Sequence, residues 1–171
     1  MSVFILQMLA MMFLDKNAQK RTHIPSEARR NKFERGISLI ANLVWLLALI
    51  YSVFLPLQLH THWFTVGLSV FILGLLCLAA ATWSFLTAPT DTPITGGIYH
   101  ISRHPMYLAT FLISLGTGIA TASWLFTLSG LLMAFCFRQE ALIEERICLE
   151  QYGGDYCEYM EKVPRWLGVP K

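Results

Sequence analysis

Two short stretches of the chain hold the residue types best suited to chemistry. Residues 103–107 read Arg-His-Pro-Met-Tyr, and residues 144–145 are a pair of glutamates. Arg103 is the only Lys or Arg between Arg35 and Arg138. If the apolar segment between the two stretches folds back on itself, their basic and acidic groups face one another at the same membrane surface. The sequence therefore predicts a polar pocket at one end of a membrane hairpin.

His104 and Pro105 have the properties of a helix start. A residue before proline is driven toward extended geometry, and proline suits the first helical turn. The free N–H groups of that turn would form an anion site, with the Arg103 and His104 side chains beside it. We expect a carboxylate to bind there. Taken singly, Arg103 could instead extend its charge to the membrane surface, and His104 could simply cap the helix.

The acidic pair and two tyrosines supply complementary groups. Glu144 and Glu145 could accept hydrogen bonds from ribose hydroxyls or from an amine, while Tyr99 and Tyr107 offer flat faces and hydroxyls. Each glutamate alone is well explained as part of a solvated helix face. The combination of both clusters at one membrane surface favours a binding site.

The composition is that of an integral membrane protein. The chain has 171 residues, of which 55% are hydrophobic and 14% charged, whereas a soluble domain averages about 25% charged. The net charge of +2 is mild, and no basic stripe interleaved with aromatic residues suggests nucleic acid. We expect one domain surrounded by membrane lipids, without a nucleic-acid partner.

Hydropathy predicts an all-α, multi-span transmembrane helical bundle of about five helices. The uncharged segments are residues 1–14, which are short for a span, 36–58, 63–88 and 107–137. Small residues at 116–123 break the last segment, which predicts two helices, about 104–119 and 123–137, in a C-terminal hairpin. One long helix is the alternative, but it would place the C-terminal basic residues outside, against the charge rule.

A basic loop sets the expected orientation. Residues 15–35 hold seven of the thirteen Lys and Arg, so the positive-inside rule places this loop, and with it the C-terminus, in the cytoplasm. Beyond Arg138 the last helix should continue into the cytosol until Gly153 and Gly154 stop it. A short helix over 155–162 and an interfacial anchor at 163–166 should follow.

Cysteine and histidine spacing predicts no metal site. None of the four cysteines belongs to a C-x-x-C pair, and the His60-x-His62 pair falls in a short exposed turn. We expect free thiols and no bound metal.

The motifs resemble those of the isoprenylcysteine carboxyl methyltransferase family. The similarity is carried by G-x-Y-x-x-x-R-H-P-x-Y at 97–107, the pair at 144–145, Y-G-x-x-Y-x-x-Y at 152–159 and V-P-R at 163–165. It covers a little under half of the chain, while the N-terminal half shares only hydropathy. The resemblance implies an S-adenosylmethionine (AdoMet)-dependent membrane methyltransferase whose active site faces the cytoplasm. The cofactor would lie between the two motif segments.

The resemblance also implies roles for single residues. The cofactor-binding candidates are Gly97, Tyr99, Arg103, His104, Pro105, Tyr107, Glu144 and Glu145. Arg138, a turn and a half before Glu144, is the candidate for holding an acceptor carboxylate. We expect a single methyltransferase domain with N-terminal spans in 1–88 and a cofactor-binding core in 89–171. A lipidic or prenylated acceptor would enter sideways, where the 36–58 and 107–119 spans part.

The acceptor and the functional class stay open at this point. The same core looks similar in phospholipid N-methyltransferases and in thiol or small-lipid methyltransferases, so the acceptor could be a carboxylate, an amine or a thiol. The C-terminal part of sterol reductases is also similar but binds NADPH, whose 2′-phosphate would call for basic residues that 87–102 lack. A non-catalytic membrane scaffold is the third class.

Overall fold

A computed structural model of the protein describes residues 30–89 and 91–168, and all regular structure in these ranges is helical. The elements are α1 (Lys32–Ser52), α2 (His62–Thr87), a 3-10 helix (Gly97–His100), α3 (Pro105–Ala120), α4 (Trp124–Tyr152) and α5 (Gly154–Lys162). The predicted all-α bundle is confirmed. The predicted first span at 1–14 and the basic loop up to residue 29 lie outside the described residues.

Three of the described helices, α1, α2 and α4, are long and apolar enough to cross a membrane, and α3 is a shorter apolar helix of 16 residues. α1 begins four residues earlier than predicted because Asn31 and Glu34 form a capping box. It ends at Ser52, short of the predicted boundary. Pro56 follows closely, and proline disfavours helical geometry at the residue before it.

Glycines bring α2 and α3 into close contact. A Cβ added at Gly116 would lie 2.4 Å from the Phe71 backbone nitrogen, and one at Gly67 would lie 2.2 Å from that of Ala120. Small residues at such a contact allow two helix backbones to approach, as is common in membranes. This contact fixes α3, and with it the first motif, against α2.

The predicted C-terminal hairpin is confirmed. α3 ends at Ala120, and α4 begins after Ser123, whose side chain accepts a hydrogen bond from the Phe126 amide at 3.3 Å. α4 then continues without interruption through its charged second half. It ends at Tyr152, where Gly153 takes a φ of +56° that glycine adopts readily.

The polar parts of the bundle gather at one end. Ion pairs join Arg30 and Glu34, at the start of α1, to the charged half of α4. At the opposite end, the ring of Tyr51 stacks on Phe126, with 6.4 Å between ring centroids. The start of α3 and residues 163–166 also meet at the polar end, through the Arg103 amide and the Pro164 carbonyl. The two motif segments therefore share one end of the bundle.

Candidate functional site

The start of α3 holds the first motif in place. Pro105 is the first helical residue and is fully buried, and the Ser102 hydroxyl accepts a hydrogen bond from the His104 amide at 3.2 Å. His104 is the residue immediately before the helix, and its side chain is buried. Arg103 and His104 therefore lie at the helix N-terminus, as predicted from the sequence.

Glu145 is surrounded by three cationic side chains. Arg165 donates to it twice, at 2.9 Å from Nε and 2.7 Å from Nη2, and His104 Nε2 lies 3.2 Å from its Oε1. Arg103 Nη1 lies 3.3 Å from the same oxygen. Burial raises the pKa of Glu145. The hydrogen bonds from His104 and Arg165 and the charge of Arg103 lower it by more, so that the pKa falls from 4.5 to about 2. Glu145 is thus a buried, ionised anchor for the cluster.

Glu144 has a different environment. Its side chain is 42% exposed, accepts a hydrogen bond from the Tyr107 hydroxyl, and lies 3.4 Å from His104 Nδ1. His104 thus lies between the two glutamates. Burial lowers the pKa of His104, but the hydrogen bonds and charges of Glu144 and Glu145 raise it above its usual value. Protonated His104 can donate from both ring nitrogens at once.

Aromatic rings form one wall of the cluster. Tyr107 stacks on Phe137 with 4.8 Å between ring centroids, and His104 stacks on Tyr107 at 5.7 Å. The Trp166 ring is tilted against that of His104, with 6.1 Å between ring centroids. The wall joins α3, α4 and the C-terminal segment.

Residues 163–166, expected to anchor at the interface, pack against the site. The Arg103 amide donates to the Pro164 carbonyl at 3.1 Å, and the Ser102 hydroxyl donates to the Arg165 carbonyl at 3.2 Å. Arg165 and Trp166 were not among the predicted site residues. The signal for Arg165 was present, because V-P-R belongs to the motifs that carry the resemblance.

The structure brings together five of the predicted residues, namely Arg103, His104, Tyr107, Glu144 and Glu145. Gly97 lies elsewhere: it has a φ of +61° and packs against Ser84 at the end of α2. The backbone carbonyl of Tyr99 accepts a hydrogen bond from Tyr159 at 2.7 Å, which docks α5.

Arg138 is not brought to this cluster. It is exposed, and at about 100° per residue it lies on a different face of α4 from Glu144. Its proposed role with the acceptor stays a prediction.

A cavity of about 270 Å³ lies next to the cluster. Helices α1 to α4 all line it, for example with Trp45 of α1, Phe71 of α2, Thr110 of α3 and Met133 of α4. α1 packs against α4, and residues of α1 and α3 both line the cavity. Thr110 is three residues after Tyr107, and Met133 is four before Phe137, so the cavity continues the same helix faces one turn further along.

Four of the five hydroxyl side chains that line this cavity are bonded within their own helices. Ser52, Thr110, Thr117 and Ser129 each donate to a carbonyl of their own helix, at 2.6 to 2.8 Å. Because their protons are already used, these side chains do not require a polar ligand. The cavity therefore suits an apolar chain.

Fold and site together define a helical membrane protein with a charged cluster at the end of an apolar cavity. The family model described as phospholipid methyltransferase matches residues 61–155, more than half of the chain. The chain belongs to this methyltransferase family.

Relatives of known name give a consistent picture. The chain is 30% identical over 148 residues to a protein-S-isoprenylcysteine O-methyltransferase of Tribolium castaneum, covering 74% of this chain and 48% of that protein. A protein of the same name from Homo sapiens is 28% identical over 135 residues, covering 72% of this chain and 48% of its own. The chain spans about half the length of these relatives. The resemblance drawn from the motifs is confirmed.

Proposed function

We propose that the protein is an integral membrane methyltransferase that uses AdoMet and transfers the methyl group to a lipidic acceptor at the cytosolic membrane face. The closest functional description is that of its relatives, protein-S-isoprenylcysteine O-methyltransferases. The whole chain forms one domain, with N-terminal spans in 1–88 and the cofactor-binding core in 89–171. The acceptor is lipidic or prenylated.

One observation carries this proposal: the charged cluster ends at the Tyr107–Phe137 contact, and an apolar cavity begins about one turn further along the same two helices, at Thr110 and Met133. A methyltransferase acting on a lipid must hold a water-soluble, charged donor and an apolar acceptor within reach of each other. The cluster supplies the polar half and the cavity the apolar half. Only the short step from Tyr107 to Thr110 along α3 separates them.

The cluster fits the groups of AdoMet. Two buried nitrogens of Arg103, Nε and Nη1, have no hydrogen-bond partner in the described part of the chain. Nη1 lies within ion-pair distance of Glu145 without forming a hydrogen bond. These donors and the N-terminus of α3 match a carboxylate. Glu144, being partly exposed, can accept hydrogen bonds from hydroxyls or an amine. AdoMet would supply a methyl group already activated on a sulfonium.

The protein residues need to supply little acid–base chemistry. A carboxylate acceptor is already a nucleophile, so orientation and exclusion of water contribute most. His104 and Tyr107 fix Glu144, while Arg165 and Trp166 cover the cluster from the C-terminal side. Gly97, Tyr99 and Pro105 act through the backbone, by placing this segment. The acceptor enters sideways between α1 and α3.

The direct test is calorimetric titration of the purified protein with AdoMet and with NADPH. Methyl transfer from labelled AdoMet to a farnesylcysteine analogue is then measured, with phosphatidylethanolamine as the competing acceptor. We expect AdoMet binding and methylation of the farnesylcysteine carboxylate. Binding of NADPH alone would indicate a reductase, and absence of AdoMet binding would remove the methyltransferase proposal.

Phosphatidylethanolamine is the second candidate acceptor, because the matching family model describes phospholipid methyltransferases. The half-exposed Glu144 carboxylate could hold an amine. Methylation of the amine lipid, with none of the farnesylcysteine analogue, would assign this second function.

A further inference from the structure

A buried ion pair that the proposed function does not use lies near the candidate site. Arg30, just before α1, pairs with Glu140 of α4 at 2.9 Å between Nη2 and Oε2. Ser38 of α1 donates to Glu140 Oε1, and Arg30 Nη1 donates to Ser38. The charged side chains are only 14% and 11% exposed. The three residues form a network between α1 and α4.

This network faces the cluster around Tyr107. Glu140 is three residues after Phe137 and four before Glu144, so the three share one face of α4. Phe137 and Glu144 both contact Tyr107. The network therefore lies on the α1 side of the site, about two helical turns from Met133, the nearest cavity residue on α4.

Arg30 keeps an unused donor. Its Nε is buried and has no hydrogen-bond partner among residues 30–89 and 91–168. A buried guanidinium N–H without an acceptor is unfavourable, so an anionic ligand reaching it gains a charge-assisted hydrogen bond.

We propose that Arg30, held in place by Glu140 and Ser38, binds the carboxylate of the acceptor and makes the enzyme prefer a carboxylate to an amine. The inference rests on the proposed function and assigns the acceptor's charged end to one residue. The unused Nε–H of Arg30 can donate to a carboxylate oxygen, whereas an ammonium group has no acceptor for it and is repelled by the guanidinium charge. Glu140 is a positioning residue: it fixes the guanidinium and neutralises its charge until the acceptor binds.

The test compares two variants that both break the ion pair but differ in whether the Arg30 cation remains. Glu140→Gln keeps the cation and leaves an amide oxygen to accept from it. The double variant Arg30→Gln/Glu140→Gln removes both charges together, so no unpaired buried charge is left to unfold the protein. KM and kcat are measured for the farnesylcysteine analogue, and the Kd of AdoMet is measured by calorimetry.

The double variant should raise the KM of the carboxylate acceptor by roughly 10- to 100-fold, the loss expected for one charged hydrogen-bonding partner. Its Kd for AdoMet should stay close to that of the wild type. Glu140→Gln should change KM only about 3-fold or less, because the cation is retained. Arg146→Gln is the matched control, because Arg146 pairs with Glu34 at 2.8 Å between the same two helices but is 43% exposed. It should leave KM unchanged.

Equal increases of KM in Glu140→Gln and in the double variant would mean that the ion pair only supports the fold, and would overturn the inference. If KM increases in Arg138→Gln and does not increase in the double variant, the inference is overturned in favour of Arg138. Wild-type protein that methylates only the amine lipid would also overturn it. Wild-type protein that binds no AdoMet would instead remove the proposed function itself, and this inference with it.

Discussion

Arg165 and Glu145 form a two-point ion pair that holds the C-terminal segment against α4, beside the start of α3. Nε donates to Oε1 at 2.9 Å and Nη2 to Oε2 at 2.7 Å. Because Glu145 is also close to Arg103 and His104, its carboxylate is already occupied by cations of the protein. It therefore orients the cluster, and the half-exposed Glu144 is the carboxylate that remains open to a ligand.

Arg165→Gln is expected to loosen residues 163–166 and to weaken AdoMet binding. The variant leaves Glu145 without its two-point partner, and a charged hydrogen bond contributes about 1.5–3 kcal/mol. Arg165→Lys should be intermediate, because it keeps the charge but loses the planar donor pair. Hydrogen exchange at the Arg103 amide, which donates to Pro164, and calorimetry with AdoMet measure the two effects.

Lys162→Gln is the control for this experiment. Lys162 is an exposed cation of the same C-terminal region and pairs with Glu158 of its own helix. We expect this variant to show the hydrogen exchange of the Arg103 amide and the AdoMet affinity of the wild type. If the Arg165→Gln variant keeps both the hydrogen-exchange protection of the Arg103 amide and the AdoMet affinity of the wild type, the role given to the ion pair is contradicted.

His104→Ala and Glu144→Gln should each weaken AdoMet binding by about 1–3 kcal/mol, the loss expected when a charged group loses its partner. Glu145→Gln should weaken it too, and should also lower the melting temperature, because three cations then surround a neutral group. Calorimetry and thermal unfolding of the same samples separate the two effects. If Glu144→Gln lowers the melting temperature as much as Glu145→Gln does, the distinction drawn between the two glutamates is contradicted.

Stability should depend on pH in two opposite ways. The pKa of His104 is raised above 6.5, so the stability contributed by its charged form is complete below pH 6.5 and is lost as pH rises through the raised value. The pKa of Glu145 is lowered from 4.5 to about 2, so its contribution is complete above pH 4.5 and is lost as pH falls toward 2. Melting temperature against pH should show a plateau between these limits.

His104→Gln should remove the alkaline decline. The matched substitution His100→Gln, at an exposed position of the 3-10 helix, should preserve it. If the melting temperature of His104→Gln declines at alkaline pH as much as that of the wild type, the effect belongs to another group.

Bulky substitutions should separate packing from acceptor binding. Gly116→Leu should impair folding, because even a Cβ there would lie 2.4 Å from the Phe71 backbone. Thr117→Leu, one residue further along and lining the cavity, should reduce use of the farnesylcysteine analogue while AdoMet affinity is retained. Equal loss of acceptor use and AdoMet affinity in a folded Thr117→Leu protein would argue against a separate acceptor cavity.

The proposed orientation is checked by labelling single cysteines in a background without the four native ones. Positions Ser26, Thr92 and Lys171 should be protected from a reagent applied outside, and position Thr61 should react. This follows from the basic loop at 15–35 and the positive-inside rule. Outside labelling at Lys171 would contradict a cytosolic site.

Much of the fold could be predicted from the sequence because its signals are local. Uncharged runs indicated α1, α2 and the α3–α4 hairpin, Pro105 marked a helix start, and Gly153 marked a helix end. Boundaries were less accurate where side chains decide them, as at the capping box of Asn31 and Glu34. The pairing of the first motif with the acidic pair could also be predicted, since a hairpin returns the chain to the same end.

The roles of single side chains depended on packing that no local signal contains. Glu144 and Glu145 are neighbours of the same type, yet one side chain is 42% exposed and the other 4%, because successive residues of a helix point about 100° apart. Ser38 and Glu140 are 102 positions apart and meet only because α1 packs on α4. The sequence determined that basic and acidic groups share one end of a helical membrane bundle. Tertiary packing alone decided that Arg165 holds Glu145, that Arg30 pairs with Glu140, and that an apolar cavity begins one turn away from Tyr107.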